Sequence, residues 1–570
     1  MGVPGFFVWL LRKYSNSKPF ITNTIDKQID YLLFDANCLI HPICSKILND
    51  NIDDDINTVE DKMIDAIISY LNELIIFVNP NKGVYIAIDG VPPMAKIKQQ
   101  RMRRLKSLID KKTFDTLKIK YNKPISQWNN SAITPGTKFM DKLHNNILNY
   151  INTCKYNIIY SSCYTPAEGE HKLLEFIKLN INYSYVMYGL DADLIFLSLS
   201  TMCTNIFLLR ESHEINKDDT SKLLYVNIEI MKDCIYNTIT TTILNDFKHL
   251  EEYILDRTSI IKDFIFVCFF LGNDFLPILY SIDIYNNGIA YLIKEYTNTI
   301  NEMILNNDVE YIYAIKENNI NIDFIQIFIK RLAYNEHTLL CEHYNNTKYT
   351  HILYKRLSNI IDPYEKEYYK LDNLLFNIID PIKIGVGQYE DYRNRFYIHY
   401  WHLNENELED FVSEMIKQYI LGLRWISLYY FDKIPSWDWF YPFEFPPFIN
   451  DINKYLIKHK DTFLYAFIPS QPITIFEQQL IIFPQQANYL LPKSLRRITT
   501  DINSSLAYMY PTNITQSFIN KKKYWMGIPL LPQIDLELIK HIYKKYKNEL
   551  LNNEIHRNDY KDIFTNIKNI

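Results

Sequence analysis

Seven acidic residues stand where a folded chain could gather them: Asp35, Asp89, Asp191 and Asp193 at the ends of apolar runs, Glu168 and Glu170 around Gly169, and Asp274 after a fourth run. One Asp at a strand end is ordinarily a turn residue or a helix cap. The set is harder to explain that way. Asp191 and Asp193 are spaced i, i+2, which points both to one side if a strand runs through them. Glu168 and Glu170 repeat the pairing ahead of an amphipathic helix, where the helix dipole accounts comfortably for only one Glu. Close carboxylates repel unless a cation compensates. Oxygen-only donors suit hard divalent ions, Mg²⁺ above all. Two such ions about 4 Å apart can generate an attacking hydroxide and stabilise the leaving oxygen in phosphodiester cleavage. Nucleophilic Ser or Cys chemistry lacks its elbow or Cys/His signature, and glycoside hydrolysis needs a single carboxylate pair.

A basic run follows Asp89 directly, from Gly90 through Pro92-Pro93 to Lys106. The prolines suit a helix start. At 3.6 residues per turn, Lys96, Gln100, Arg103 and Arg104 fall on one face, which makes an anion pocket: Arg forks bind phosphate oxygens, Lys adds a point charge and Gln adds donors. Charge runs are usually solvated helix faces. This one starts beside a metal-ligand candidate and does not alternate in sign. A terminal phosphate fits such a pocket better than an internal phosphodiester, so the site should prefer a free 5′ phosphate and work from an end. His41, in Asn37-Cys-Leu-Ile-His41-Pro42, reads alone as a cap or core residue; near a nucleotide its ring could stack on a base.

These residues need elements to carry them. The runs Tyr31–Asp35, Val84–Asp89 and Tyr185–Asp193 are short, apolar and without alternation, as parallel strands covered on both faces are. Phe264–Asp274 fits a strand or a buried helix. Helical spacing over Lys62–Val78, Lys138–Thr153 and Glu170–Leu179 completes a β-α-β alternation. In an open parallel sheet, ligand chemistry collects at the carboxyl ends of the strands. Residues 1–290 therefore read as one α/β domain, 291–420 as a mainly helical connecting region, and 421–570 as an aromatic-rich second lobe packed against the active site.

The 570 residues carry a net charge of −5, so a polyanion must be met by a local basic patch and not by a general coat. The eight Cys form no CxxC pair, which fits reduced thiols in an intracellular protein. Gly2 lacks the Ser or Thr that a myristoylation signal needs, and no apolar run approaches the roughly 20 residues of a membrane span.

Taken in order, these strings resemble the XRN 5′→3′ exoribonuclease family: Met1-Gly-Val-Pro, Phe34-Asp-Ala-Asn, Ile88-Asp-Gly-Val-Pro-Pro-Met-Ala-Lys96, Ile133-Thr-Pro-Gly-Thr137, Glu168-Gly-Glu-His-Lys172, Tyr188-Gly-Leu-Asp-Ala-Asp193 and Leu271-Gly-Asn-Asp-Phe-Leu-Pro277. Weaker echoes run through Ser436-Trp-Asp-Trp439, Phe476-Glu-Gln478 and Leu530-Leu-Pro532, so the resemblance spans about residues 1–540. It implies an α/β fold with a mixed, mainly parallel sheet flanked by helices, of the PIN or 5′-nuclease kind, with a helical projection from the basic helix to about 130 and a second α-rich lobe. It implies processive hydrolysis of single-stranded RNA bearing a 5′ monophosphate to mononucleotides, in RNA turnover, by two Mg²⁺ ions for which Mn²⁺ can substitute. The metal-binding acids would be Asp35, Asp89, Glu168, Glu170, Asp191, Asp193 and Asp274; Lys96, Gln100, Arg103 and Arg104 would hold the phosphate, and His41 would stack on a base. One of Trp437, Trp439 or Trp525 would complete the stack, the sequence leaving open which.

Cys38 stands where the family usually has Gly, and Ile278 and Tyr280 replace its His and Pro. The chain stops at 570, without the long C-terminal extension of the large cytoplasmic members, so no partner of such an extension is assumed and a monomer is expected. Cytoplasm is favoured over nucleus because no separate basic targeting cluster stands out. Two rivals remain: a structure-specific 5′ flap nuclease on DNA, which needs Gly-rich hairpins where the chain has only 13 Gly, and an inactive RNA-binding homologue, which would ordinarily have lost acids.

Overall fold

The structure is a computed structural model and describes residues 5–14, 20–51, 54–125, 128–189, 191–211, 223–248, 255–305, 311–345, 348–374 and 380–567. The motif residues Met1–Pro4 and Leu190 lie outside them.

The strands are β1 (Ile21–Thr22), β2 (Tyr31–Asp35), β3 (Gly83–Ala87), β4 (Ile158–Ser161), β5 (Tyr185–Tyr188), β6 (Ile206–Glu211) and β7 (Leu223–Asn227), with Phe564–Asn566 added at one edge. They form an eight-stranded mixed sheet in the order β1-β7-β6-β5-β2-β3-β4 and then the C-terminal strand. The five central strands β6-β5-β2-β3-β4 run parallel, and the edges are antiparallel. The chain moves from β2 through β3 to β4 on one side, then crosses back to place β5 on the other side of β2, so the strand order reverses at β2. A crevice opens at the carboxyl end of such a switch point.

Both faces of the strands are buried, which explains their unbroken apolar runs. Leu33, Tyr85 and Met187 face one core, and Leu32, Phe34, Val84, Ile86, Val186 and Tyr188 face the other. The first core continues into residues of the helical region up to Phe463 and also takes in Ile519, and the second takes in residues from Ile473 to Tyr543. The later chain thus packs against both sides of the sheet.

The helices relevant to the site are α1 (Phe6–Lys13), α2 (Asn37–Asp50), α3 (Ile56–Val78), α4 (Met94–Lys120), α5 (Lys138–Thr153), α6 (Gly169–Leu179), α7 (Ala192–Ser200), α8 (Ile228–Asp246) and α9 (Arg257–Cys268). The ambiguous fourth apolar run is α9. Asp256 caps it by accepting from the Ser259 N–H, and a buried Asp263 within it accepts from the Ala314 and Ile315 N–H groups and the Tyr296 hydroxyl. A 3-10 turn, Phe269–Leu271, and Gly272 at φ +84° then redirect the chain to Asp274. The far half of α4 is met by the helix Pro363–Asp372, where Phe114 and Tyr368 have ring centroids 4.9 Å apart and Lys120 pairs with Glu367 at 2.7 Å. Among the described residues no helix is long and apolar enough to cross a membrane.

Candidate functional site

Asp35 is the last residue of β2, and Asp89 lies two residues beyond β3. The Asp191–Asp193 pair is arranged differently from the spacing argument. The strand β5 ends at Tyr188; Asp191 is the N-cap of α7 and accepts from the Asp193 N–H at 3.3 Å, so a helix start, not a continued strand, brings the two together. Glu168 stands at the N-cap position of α6 without a side-chain capping bond, and Glu170 lies in its first turn. Gly169 between them donates its N–H to Asp89 Oδ1 at 2.6 Å, and a Cβ added there would lie 3.0 Å from Asp35 Oδ1 and 3.3 Å from Asp89 Oδ1. Only glycine lets the start of α6 approach the strand-end carboxylates this closely.

Asp35, Glu168, Glu170, Asp193 and Asp274 are buried, and Asp89 and Asp191 are half-buried. Burial, then the neighbouring Asp89 and Asp191, push the Asp35 carboxyl up to about 7, while the Cys38 thiol and Lys96 act against them. Burial, then Asp274 and Asp191, push Asp193 up to about 8. Burial and the adjoining Asp193, Glu168 and Asp191 hold Glu170 well above the carboxylate range, with Lys96 opposing. Glu168 is raised by burial, with Asp89 adding and Lys96 opposing. Asp274 differs: burial raises it, but its cationic neighbours, Lys96 first, leave it below its ordinary value. The seven acids thus form one field of mutual repulsion.

Lys96 is the cation inside that field. Its ammonium bridges Glu168 and Asp274, the latter at 2.7 Å, although burial favours its neutral form. Spacing assigns Lys96 to the phosphate face, but in the fold it points into the acids because two buried carboxylates need it. Among the described residues no group of three or more His, Cys, Asp or Glu side chains is already close enough to hold a metal ion.

The basic run divides along the helix. Lys98 donates to the Tyr441 and Phe443 carbonyls, and Arg101 donates to those of Pro532 and Met509, so these two bind α4 to the later chain. On the other side Arg103 is exposed, while Arg104 donates to Thr134 Oγ1 at 2.6 Å and lies 5.5 Å from the Phe483 ring centre. Burial and the adjacent Arg103 push the Arg104 guanidinium down to about 10, still charged at neutral pH. Gln100 is half-buried. His41, in α2, joins the two halves of the site. The residue is exposed at the surface, yet enough protein lies around it that desolvation chiefly pushes its pKa down to about 4, with Asp89 opposing and Arg104 and Arg103 adding.

Several supporting groups are assigned no role from the sequence, although Asn37, Cys38 and Lys172 lie in or beside the family strings. Asn37 donates to Asp89 Oδ2 at 2.7 Å, and Lys172 donates to the Ile88 and Ser162 carbonyls, fixing the loops after β3 and β4. The Cys38 thiol, at the family's usual Gly position, donates to Asp35 Oδ2 at 2.9 Å. From the long helix Glu405–Phe431, Tyr429 donates to Glu168 Oε1 at 2.7 Å and Tyr430 to Asp193 Oδ1 at 3.3 Å. Of the three tryptophans, Trp437 accepts the Met94 N–H on its carbonyl at 2.8 Å, beside the start of α4. Trp439 stacks on Trp425 at 5.7 Å, and Trp525 is 54% exposed next to Tyr524, whose carbonyl holds Lys106.

Comparison with known proteins matches residues 1–212 to the family described as XRN 5'-3' exonuclease N-terminus, and residues 254–367 and 362–568 to the Xrn1 helical domain. The chain is 25% identical to the 5'-3' exoribonuclease 2 of Candida albicans, over 96% of this chain and 72% of that protein. It is 26% identical to the human 5'-3' exoribonuclease 1, over 99% of this chain but only 35% of that protein. With the 5'-3' exoribonuclease 2 homolog of Drosophila melanogaster the identity is 25%, over 100% and 74%.

Proposed function

This chain belongs to the XRN 5′-3′ exonuclease family, and from that premise we propose that it is a 5′→3′ exoribonuclease that removes mononucleotides processively from single-stranded RNA with a 5′ monophosphate. What supports the reading is the nearness of two opposed charge clusters: His41 is within electrostatic reach of both Asp89 and the Arg103–Arg104 pair, so the acids and the basic face are neighbours. A phosphate on Gln100, Arg103 and Arg104 sets the first scissile bond against the acids.

Asp35, Asp89, Glu168, Glu170, Asp191, Asp193 and Asp274 are the residues to hold Mg²⁺. Their chemistry fits: all donors are carboxylate oxygens, and several are kept above their ordinary pKa by burial first and then by one another, a charge deficit that a dication relieves. When bound, such ions supply an activated water and neutralise the leaving oxygen. The chain's own groups do the rest. Lys96 steadies Glu168 and Asp274, Tyr429 and Tyr430 orient Glu168 and Asp193, and Gly169 and Asn37 orient Asp89. His41, neutral at physiological pH, offers a flat ring to the first base, and Trp437, beside the start of α4, is our choice for the opposing wall.

The test compares one RNA sequence carrying a 5′ monophosphate, triphosphate, hydroxyl or cap. Rapid loss of the monophosphate form alone, stopped by EDTA, is expected; equal loss of all four, or activity that survives chelation, overturns the reading.

A further inference from the structure

Gln478 sits on the helix Ile475–Ile482, with every residue of that helix buried. The helix is fixed at its start by a capping box between Thr474 and Glu477, and it packs along α4. The neighbouring Gln479 donates to the Pro135 carbonyl at 2.6 Å, and Phe483, just past the helix end, supplies the ring under Arg104. Gln478 is therefore a rigid part of the wall behind the basic face.

Its side chain is 0% exposed and donates from Nε2 to Gln100 Oε1 at 2.9 Å. Its own Oε1 is buried and has no hydrogen-bond partner among the described residues. A bare buried carbonyl oxygen is unfavourable and calls for an explanation. The polarity of the pair provides one. With Gln100 Oε1 engaged from behind, the Gln100 amide nitrogen is the end left to face an anion. If the Gln478 amide turned over, its oxygen would oppose the Gln100 oxygen, or Gln100 would turn as well and present a carbonyl to phosphate.

We propose that Gln478 is a positioning residue for the 5′ phosphate: it locks Gln100 with its NH₂ outward, so that the pocket offers an anion donors only. Each amide in the chain Gln478 to Gln100 polarises the next, which strengthens the bond to the phosphate. The proposal rests on the reading of Gln100, Arg103 and Arg104 as the phosphate pocket, and its test separates the two.

Binding of the full chain to one oligoadenylate RNA, 5′-phosphorylated or 5′-hydroxyl, is measured in EDTA by fluorescence anisotropy. A wild-type affinity ratio near one overturns the phosphate pocket itself. With a clear wild-type preference, Gln478→Glu, which can only accept and so turns Gln100 over, is expected to lower the ratio about tenfold, and Gln478→Met, which merely releases Gln100, about threefold. Adding Gln478→Met to Gln100→Ala should lower it no further. A merely structural role would weaken both RNAs in parallel, and an unchanged ratio in Gln478→Met overturns the proposal even if Gln478→Glu fails to fold.

Discussion

The acids are drawn from five separate stretches between Asp35 and Asp274 and five of them are buried, whereas Gln100, Arg103 and Arg104 come from two turns of α4, with Arg103 at the surface. The first group keeps like charges together where solvent cannot screen them, so the fold bears a cost there that substrate chemistry must justify. The second keeps Arg103 exposed at a rim, where its charge costs little, beside the more enclosed Arg104, and both can be given to a ligand. Mutations should therefore separate activity from stability in opposite ways at the two places.

The largest effect belongs to the acids. Asp191→Ala or Asp193→Ala should reduce nucleotide release by about 10³-fold or more in Mg²⁺. Because one member of a crowded acidic set is gone, Asp193→Ala without metal should melt no lower than wild type; an active variant breaks the comparison at its acidic end. Next comes the rim. Arg103→Ala should cut the preference for 5′-monophosphate over 5′-hydroxyl RNA by about 10- to 100-fold while changing stability by less than about 0.5 kcal/mol. Arg101→Ala, on the same helix, should do the reverse. It loses two carbonyl contacts to the later chain, so urea unfolding should show about 2 kcal/mol lost with the end preference retained.

The helical period groups Gln100, Arg103 and Arg104 on α4, and most of the acids stand out in the sequence because apolar runs precede them, although only Asp35 ends a strand and Glu168, Glu170, Asp191 and Asp193 sit at helix starts. Spacing could not show that Lys98 and Arg101 turn to the back of α4 while Lys96 dips into the acids, since those directions depend on carbonyls and carboxylates distant in sequence. Nor could it show that α7 begins at Asp191. The apolar run before Asp274 was ambiguous because a helix buried all round has no polar stripe. Tyr429 and Tyr430 stayed silent for a related reason, looking like ordinary core residues, and Gln478, though inside a family string, had no role; only packing of residues beyond 400 gives each a partner in the site.

A smaller effect is expected from those partners. Tyr429→Phe removes the hydroxyl bonded to Glu168 and should raise the Mg²⁺ concentration for half-maximal rate about tenfold, leaving the 5′-end preference unchanged. The last is a pH effect, read on stability alone. Asp35 and Asp193 titrate near 7 and 8 in the folded chain and near 4 unfolded, so between those values the folded state holds the extra protons. Stability in EDTA should then fall as pH rises from about 4 to 8. Differential scanning calorimetry with Mg²⁺ added should show a flatter slope, and a slope that ignores Mg²⁺ would contradict the idea of a charge deficit.

The most direct test of the central claim, that the acidic crevice and the basic rim together direct attack to a phosphorylated 5′ end, is a time course on RNA labelled at its 3′ end and carrying a 5′ monophosphate. The account predicts that full-length label passes straight to very short 3′ fragments without a ladder, with nucleoside 5′-monophosphates released, and that the 5′-hydroxyl form persists. Accumulation of internal fragments, or equal consumption of the 5′-hydroxyl RNA, would contradict it.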